Sequence, residues 1–274
     1  VKSRIHATSQ VPAKKTRFIT YCQRIAAILL LPAIIAIVAL MMKKDHQEPL
    51  IAYNEVTAPY GMVSSLTLPD SSKVWLNAGS TLKYPTAFTS NVREVEMSGE
   101  AYFEVHADKE HPFIVNTGDL KVTATGTAFN ICCFAKAQEE VITLVTGKVA
   151  VSHENNIKHL LPGQQLNYQR ASKSMEITDI DTYKYISWKD GILAFRDDPL
   201  KSIFNRLEQV YQVRFILKDT SINLFTYRAT FKGETLDEIL DYMGMSIPIT
   251  FRTTETEKEG NDSINVRTIE VYKN

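Results

Sequence analysis

The sequence of 274 residues has no excess of charge of either sign and very little cysteine. Lysine and arginine together number 31, as do aspartate and glutamate, so the formal net charge is zero. A chain without a basic excess has no electrostatic reason to bind nucleic acid directly. We therefore exclude direct nucleic-acid binding from the expected functions.

The three cysteines, Cys22, Cys132 and Cys133, do not form the patterns of a disulfide framework or a zinc site. The sequence contains no Cys-x-x-Cys pair. A bond between the adjacent Cys132 and Cys133 would close a strained eight-membered ring, and Cys22 lies on the other side of a long apolar segment. We predict no disulfide, with two buried small apolar residues at 132 and 133.

Catalytic and metal-binding motifs are also missing. No serine lies in a Gly-x-Ser-x-Gly elbow, and no phosphate-binding loop is present. The six histidines are scattered, and His106 and His111 are five residues apart, the second directly before Pro112. This spacing favours surface or strand-end positions over a metal site. We therefore expect no catalytic residue, no metal and no cofactor.

Two carboxylates, Glu100 and Glu104, occur four residues apart in an alternating segment, so both should point to one face of a strand. Two carboxylates on one face are the geometry of a glycosidase if they line a cleft. No aromatic cluster of such a cleft can be placed beside them. The favoured interpretation is a solvated face opposite Ala101, Phe103 and Val105.

Residues 25–42 form an apolar run of eighteen residues without a charge or a hydrogen-bonding side chain. At about 1.5 Å per residue a helix of this length spans about 27 Å, close to the hydrocarbon thickness of a bilayer. A cleaved signal peptide is the alternative, but the run is too long and no convincing Ala-x-Ala site follows. We predict a retained transmembrane helix, with Pro32 tolerated as a kink.

Basic residues flank the apolar run more heavily on its N-terminal side. They are Lys14, Lys15, Arg17 and Arg24 before the run, against Lys43 and Lys44 after it. This excess predicts a cytoplasmic N-terminus. The expected order is a cytoplasmic segment over 1–24, a transmembrane helix over 25–42, a linker over 43–55, and all later residues outside the cytoplasmic membrane.

From about 56 to 180 the sequence alternates in short segments separated by turn residues, without a helical period. Spacing of 8–12 residues between such segments predicts an all-β sandwich or barrel-like domain. Among the candidate strands are 74–76, 94–98, 101–106, 113–117, 120–125, 128–134, 140–146, 148–152 and 165–169.

The pattern changes after Trp188, and we place the join between two domains at 180–188. Asp198 offers an N-cap and Pro199 a first helical turn. Thr235 and Glu238 have the spacing of a capping box. The order strand, helix, strand, strand, helix, strand, strand predicts a small α+β module over 188–274. The fold expected overall is one transmembrane helix, an all-β domain over 56–180, and this module.

Several ordered motifs are similar to those of one family, the FecR-like transmembrane anti-sigma regulators in their Bacteroidetes form. In the predicted β domain they are Leu68–Ser80, Leu82–Pro85, Gly99–Val105, Pro112–Val115, Gly126–Asn130, Thr143–Val149 and Leu161–Gln165. Further along they are Trp188–Gly191, Phe195 and Pro199–Leu200. The second set resembles a C-terminal domain similar to the secretin/TonB short N-terminal module. The resemblance covers about residues 56–272.

The resemblance implies a non-enzymatic transducer in the bacterial inner membrane with periplasmic C-terminal domains. A cytoplasmic N-terminal segment would bind an extracytoplasmic-function sigma factor, although relatives usually carry a longer helical segment there. The periplasmic part would contact the signalling domain of an outer-membrane TonB-dependent transporter. We expect this contact on a strand edge or on the face near Phe231 and Leu236.

The resemblance also draws attention to the bond between Gly126 and Thr127, because some relatives split at a Gly-Thr bond by an acyl shift. The simpler interpretation is a glycine with positive φ at the start of a strand. The rival to a transducer is a membrane-tethered carbohydrate- or cell-wall-binding β domain, which should show exposed aromatic side chains clustered on one sheet face.

Overall fold

The protein is described by a computed structural model that covers residues 14–42, 52–259 and 264–274. Its first compact unit ends at Leu50, and its described part is a single helix, α1, over Lys14–Met42. The helix begins well before Ile25 because no proline or glycine interrupts residues 14–24. Residues 1–13 of the predicted cytoplasmic segment and 43–51 of the predicted linker lie outside the described residues.

The second unit, over Ile51–Asn274, begins with thirteen strands. The strands are β1 Tyr53–Thr57, β2 Ser64–Thr67, β3 Lys73–Leu76, β4 Thr81–Pro85, β5 Arg93–Glu104, β6 Phe113–Asn116, β7 Lys121–Ala124, β8 Ala128–Cys133, β9 Glu139–Thr146, β10 Val149–His153, β11 Asn156–Leu160, β12 Gln164–Gln169 and β13 Ser174–Asp179. The predicted strands are present within one or two residues, except that 94–98 and 101–106 are the single strand β5. Strands β1, β2, β4, β11 and β13 were not predicted, and the mostly β character is confirmed. Strand β1 occupies the last residues of the predicted linker.

Strand β5 belongs to both layers of the β part. Its first half pairs with β4 and, in parallel, with β6, whereas its second half pairs with β3 and β8. Gly99 lies at the change, with φ of +101°, and a Cβ there would come within 2.7 Å of Ser80 Cα. Only glycine accepts this backbone angle and this approach easily. The strand therefore bends here and lets the two layers face one another.

One hydrophobic core fills the space between the layers. Large side chains from both halves of the sheet meet in it, and the most completely buried include Phe103, Phe113, Phe129, Leu144 and Leu166. Phe103 stacks on Phe129 with ring centroids 5.1 Å apart. Alternation along the strands produces this core, since every second residue points inward.

The chain from Tyr183 onward mixes helices with strands. The elements are α2 Tyr183–Ile186, a 3-10 turn Ser187–Asp190, β14 Ile192–Pro199, α3 Leu200–Tyr211, β15 Val213–Leu217, a 3-10 turn Thr220–Leu224, β16 Thr226–Lys232, α4 Leu236–Ser246, β17 Ile249–Glu259 and β18 Ile264–Lys273. Strand β14 pairs with β16, and β18 lies between β15 and β17. A charged turn at 253–263, the interpretation that the charged sequence there favours, is wrong for residues 253–259, which belong to β17. Residues 260–263 lie outside the described residues.

The two helices of this part bury one apolar stripe each in a second core. The stripe of α3 contains Leu200, Ile203, Phe204 and Leu207, and that of α4 contains Leu236, Ile239, Leu240 and Met243. Residues spaced three or four apart lie on one face of a helix with 3.6 residues per turn, so each stripe faces the core.

The starts of the two helices differ from each other. The capping box of α4 is present, with the backbone N–H of Thr235 donating to Glu238 Oε2 at 2.7 Å. The predicted N-cap role of Asp198 is wrong, because β14 continues to Pro199 and α3 starts at Leu200. Asp198 instead accepts a hydrogen bond from Lys184 Nζ at 2.6 Å.

Candidate functional site

The predicted solvated face around Glu100 is wrong for that residue. Glu104 is exposed, but Glu100 is only 2% exposed and Tyr102 between them is also buried. Burial along β5 alternates as far as Ser98 and then holds for five consecutive residues, Gly99–Phe103. A strand with both faces buried must have a second layer on its outer face, and residues of the C-terminal part supply it here.

The carboxylate of Glu100 is fully engaged by side chains from both parts of the second unit, the β part formed by β1–β13 and the C-terminal part from Tyr183 onward. Asn77 Nδ2 donates to Oε2 at 2.6 Å, and Asn130 Nδ2 donates to Oε1 at 3.1 Å. Arg206 of α3 forms a salt bridge with Oε2 through Nη1. Trp188 Nε1 donates to Asn130 Oδ1 at 3.1 Å and so extends the network. We call Asn77, Glu100, Asn130, Trp188 and Arg206 the Glu100 network.

The backbone around Glu100 is also fixed. Its N–H donates to Ser80 Oγ at 2.7 Å, and its carbonyl accepts from the N–H of Asn77 at 2.9 Å. Both carboxylate oxygens are therefore bound to the protein in a site that excludes water. A catalytic carboxylate must instead face a cleft that admits substrate, so this geometry does not support a glycosidase pair of Glu100 and Glu104.

A cation over two aromatic rings lies beside the Glu100 network. Lys189 Nζ is 5.7 Å from the ring centroid of Trp75 and 5.4 Å from that of Tyr102. Such contacts are favourable by about 0.5–2 kcal/mol depending on burial. Burial raises the pKa of Tyr102 to about 12, with smaller contributions from Glu104 and Asp190. The tyrosine is therefore neutral, and its ring serves as a packing surface.

The cysteines behave as apolar residues rather than as reactive thiols. Cys133 is buried, and burial raises its pKa to about 12. Cys132 is partly buried opposite Glu100, and burial raises its pKa as well. All three cysteines are free, as predicted. Among the described residues, no three His, Cys, Asp or Glu side chains are grouped to hold a metal ion.

The bond between Gly126 and Thr127 lies where β8 begins, at the wall of a surface pocket. Gly126 has φ of +129°, as a glycine at the start of a strand was predicted to have. Thr127 is 5% exposed, and its Oγ1 is the one buried side-chain polar atom without a hydrogen-bond partner among the described residues. Gly147 packs so closely that a Cβ there would lie 2.8 Å from the Gly126 carbonyl oxygen.

Phe231 and Leu236, the predicted partner-contact residues, are both buried in the C-terminal core. Phe231 is held edge-on by Phe195 and stacks on Tyr242, whose ring centroid is 6.4 Å away. Tyr242 is 48% exposed. The surface at this position is therefore provided by Tyr242, and Phe231 supports it from within.

Sequence reasoning missed Arg206 and Asn130, which lie far from Glu100 along the chain. Arg206 occupies the polar side of an amphipathic helix, where an arginine is ordinarily solvated. One signal in the sequence of β5 could have indicated a covered outer face. The large aromatic Tyr102 stands beside Glu100 on the face opposite the core residues Ala101 and Phe103.

Comparisons with known proteins agree with this architecture. The family model described as FecR protein matches residues 54–151, and the model described as FecR, C-terminal matches residues 192–259. Two crystal structures of a protein from Parabacteroides distasonis assigned as an anti-sigma factor match with 30% sequence identity and a TM-score of 0.69. Each alignment covers 81% of this chain, and 99% and 100% of the two solved chains. No curated protein sequence matches the chain.

The chain has the features of an anti-sigma regulator, which is a non-enzymatic signalling protein. These features are a mostly β part, a C-terminal part matched by its own family model, and an apolar N-terminal helix. The chain belongs to the FecR family. Within α1, the segment Phe18–Val38 is long and apolar enough to cross a membrane, which is consistent with a membrane anchor.

Proposed function

We propose that the chain is a single-pass inner-membrane regulator that relays a signal from an outer-membrane TonB-dependent transporter to an extracytoplasmic-function sigma factor. The observation that carries this proposal is family membership together with an apolar helix that precedes the second unit, Ile51–Asn274, which we call the outer unit. The N-terminal segment, 1–24, would face the cytoplasm and bind the sigma factor. The outer unit would lie in the periplasm, with residues 188–274 as the module similar to the secretin/TonB short N-terminal domain.

The topology is tested by fusing alkaline phosphatase to the C-terminus of the full chain. The basic residues before the apolar run favour an inside N-terminus, so the phosphatase should be active outside the inner membrane. A matched fusion to a fluorescent protein that folds only in the cytoplasm should stay dark. A fluorescent chain with inactive phosphatase would reverse the orientation and remove the proposed periplasmic contact.

The transporter contact is tested by titrating the full chain in detergent with the signalling domain of a transporter encoded beside it. The binding surface is proposed around Tyr242, which is exposed and stacks on the buried Phe231. Tyr242→Glu should weaken binding, because it places a charge at the centre of an apolar contact. Tyr60→Glu is the matched control, since Tyr60 is 54% exposed but belongs to the β part. Equal binding by wild type and Tyr242→Glu would exclude this surface.

We keep self-cleavage at Gly126–Thr127 as a second proposal about processing. The Thr127 hydroxyl would attack the Gly126 carbonyl carbon, and the C–N bond would break as an ester forms, with the hydroxyl proton passing to the released Thr127 amine. Water would then hydrolyse the ester to the Gly126 carboxylate and the Thr127 hydroxyl. The buried, unpaired Oγ1 and the positive φ of Gly126 favour it. The purified wild type should yield two fragments, Thr127→Ser should still cleave, and Thr127→Ala should stay whole. A wild type that remains intact on long incubation would remove the idea.

A tethered carbohydrate-binding domain is the rival function, and the aromatic residues argue against it. Trp75 and Tyr102, an aromatic pair on one sheet face, have centroids 5.7 Å apart. The pair carries Lys189 over its rings, so it is not a free platform for a sugar. Binding of the chain to peptidoglycan or to immobilised glycans, abolished by Trp75→Ala, would restore this alternative.

A further inference from the structure

The hydrophobic cores of the two parts do not merge. All buried residues of the first core lie between Ala58 and Tyr168, and those of the second lie between Phe195 and Val271. Trp188 is buried but belongs to neither. Between the cores stands the Glu100 network, which consists of a carboxylate, a guanidinium, two amides and an indole N–H. The contact between the two parts thus combines these hydrogen-bonded polar groups with the buried rings of Trp188 and Tyr102, and it differs in kind from either core.

The Glu100–Arg206 pair gives this contact an unusual energetic property. The Glu100 side chain is almost wholly buried, whereas the Arg206 side chain keeps about one fifth of its surface exposed. A buried ion pair contributes little net stability, because desolvation offsets the attraction, but removal of one partner is strongly unfavourable. If Arg206 is withdrawn, Glu100 is left charged and buried under α3. The carboxylate is then hydrated only if the C-terminal part moves away.

We propose that the Glu100 network is a releasable latch that docks the C-terminal part on the outer face of β5 and β8, and that a partner bound to the C-terminal part signals by opening it. The trigger rests on the proposed function, whereas the latch itself is a property of the chain alone. Such a contact suits this role, since its polar groups exchange protein partners for water when it opens and neither hydrophobic core is uncovered.

The chain contains two reporters of the docked state. It has only two tryptophans, so Trp75→Phe leaves Trp188, in the network, as the single emitting indole. Cys132 is paired with Glu100 in the sheet register and lies on the same covered face as Asn130. With Cys22→Ser, which removes the exposed thiol, Cys132 becomes the thiol that opening uncovers, because Cys133 is buried in the β core.

The experiment compares four full-length proteins in detergent in the Trp75→Phe, Cys22→Ser background: the parent, Arg206→Met, Glu100→Gln and the double variant. We expect Arg206→Met to shift the Trp188 emission to the red and to speed the reaction of Cys132 with a water-soluble maleimide by about tenfold or more. Glu100→Gln should have a smaller effect, since Arg206 retains access to water. The double variant should return close to the parent, because no charge remains buried.

Arg228→Met is the matched control, since its salt bridge with Asp197 is solvent-exposed and remote from the network. It should leave emission and thiol reactivity unchanged. Far-ultraviolet circular dichroism shows whether each variant keeps its fold. If Arg206→Met does not fold, the emission and thiol reactivity of Glu100→Gln and of the double variant, compared with the parent, test the latch. Parent-like emission and reactivity in a folded Arg206→Met would overturn the latch. So would a double variant as open as Arg206→Met, because charge pairing would then not control docking.

A reporter driven by the neighbouring sigma factor separates the latch from its proposed use in signalling. We expect Arg206→Met to give ligand-independent reporter activity and Arg228→Met to respond normally to ligand. If the parent gives no ligand response at all, the proposed relay fails, while the fluorescence and thiol measurements still decide the latch. If the parent responds to ligand and the opened Arg206→Met chain gives the same reporter activity as the parent, opening of the latch is not the signal.

Discussion

The β part and the C-terminal part bury their apolar side chains in different ways, and the contact between them follows neither. In the β part, two strand layers meet and strand alternation supplies the core. In the C-terminal part, two amphipathic helices lay their stripes against short strands. The contact between the parts is built from Glu100, Arg206, Asn130 and Trp188. Each part thus has its own core, and the proposed latch would let the parts separate without unfolding.

The largest effect should come from a cavity in one core. Leu207 and Leu144 are both fully buried, the first in the C-terminal core and the second in the β core. Replacement of either by alanine should cost about 2–5 kcal/mol of unfolding free energy. If the parts fold separately, Leu207→Ala lowers the melting of the C-terminal part alone, and Leu144→Ala lowers that of the β part. Calorimetry of the full chain in detergent measures the melting temperature of each part. A single transition that both variants shift equally would show that the two parts do not melt separately.

The bend of β5 is the next test, because it creates the face on which the C-terminal part docks. Gly99→Ala should destabilise the β part by about 1–3 kcal/mol through backbone strain, with an added clash against Ser80. Gly118→Ala is the matched control, since φ is +97° there and a Cβ would meet nothing within 4 Å. Chemical denaturation should therefore rank Gly99→Ala as clearly worse. Equal losses would mean that the approach to Ser80 does not constrain the strand.

A smaller effect is expected from the indole of Trp188. Trp188→Phe keeps an aromatic ring but removes the N–H that donates to Asn130 Oδ1. An unsatisfied buried acceptor costs about 1–3 kcal/mol, which should be lost from docking rather than from either core. Hydrogen exchange should rise in β8 and α3 while the transitions of both cores stay in place. Trp75→Phe removes no such bond and should change exchange less.

The smallest effect concerns the start of α4. Thr235→Ala removes the hydroxyl that caps the helix and should cost about 1 kcal/mol in the C-terminal part only. The backbone N–H and hydroxyl of Thr235 lower the pKa of Glu238 below its ordinary value. A lowered pKa in the folded state stabilises above the unfolded pKa and is lost as pH falls through the folded value. Glu238→Gln should therefore flatten the acid limb of a denaturation series, and an unchanged limb would contradict this.

Periodicity predicted the residues of both cores, because burial along a strand or a helix follows from each residue's place in the repeating pattern. Alternation located the strands between 113 and 169 except β11, Asn156–Leu160, and the i, i+3, i+4 spacing located the buried stripes of both helices. The same rules failed at Asp198, which looked like an N-cap but pairs with Lys184 while β14 runs on to Pro199. Lys184 lies 14 residues before Asp198, and a local capping pattern does not include a partner at that distance.

The contact between the parts could not be predicted, because a polar residue on the outer face of a strand has the same local pattern in water and under another domain. Glu100 and Glu104 are equivalent in the alternation of β5, yet only Glu100 is covered. Arg206 likewise occupies the polar side of an ordinary amphipathic helix. Only the fold brings these two residues together from positions 106 apart in the chain.

The identity of the chain as an anti-sigma regulator is tested most directly by its effect on an extracytoplasmic-function sigma factor of the same organism. The full chain is expressed with that sigma factor and a promoter that depends on it, and the two proteins are tested for association in detergent. We predict that they co-purify, that transcription changes when the chain is present, and that deletion of residues 1–24 abolishes both effects while the outer unit stays folded. A chain that neither associates with the sigma factor nor alters its transcription would contradict the account.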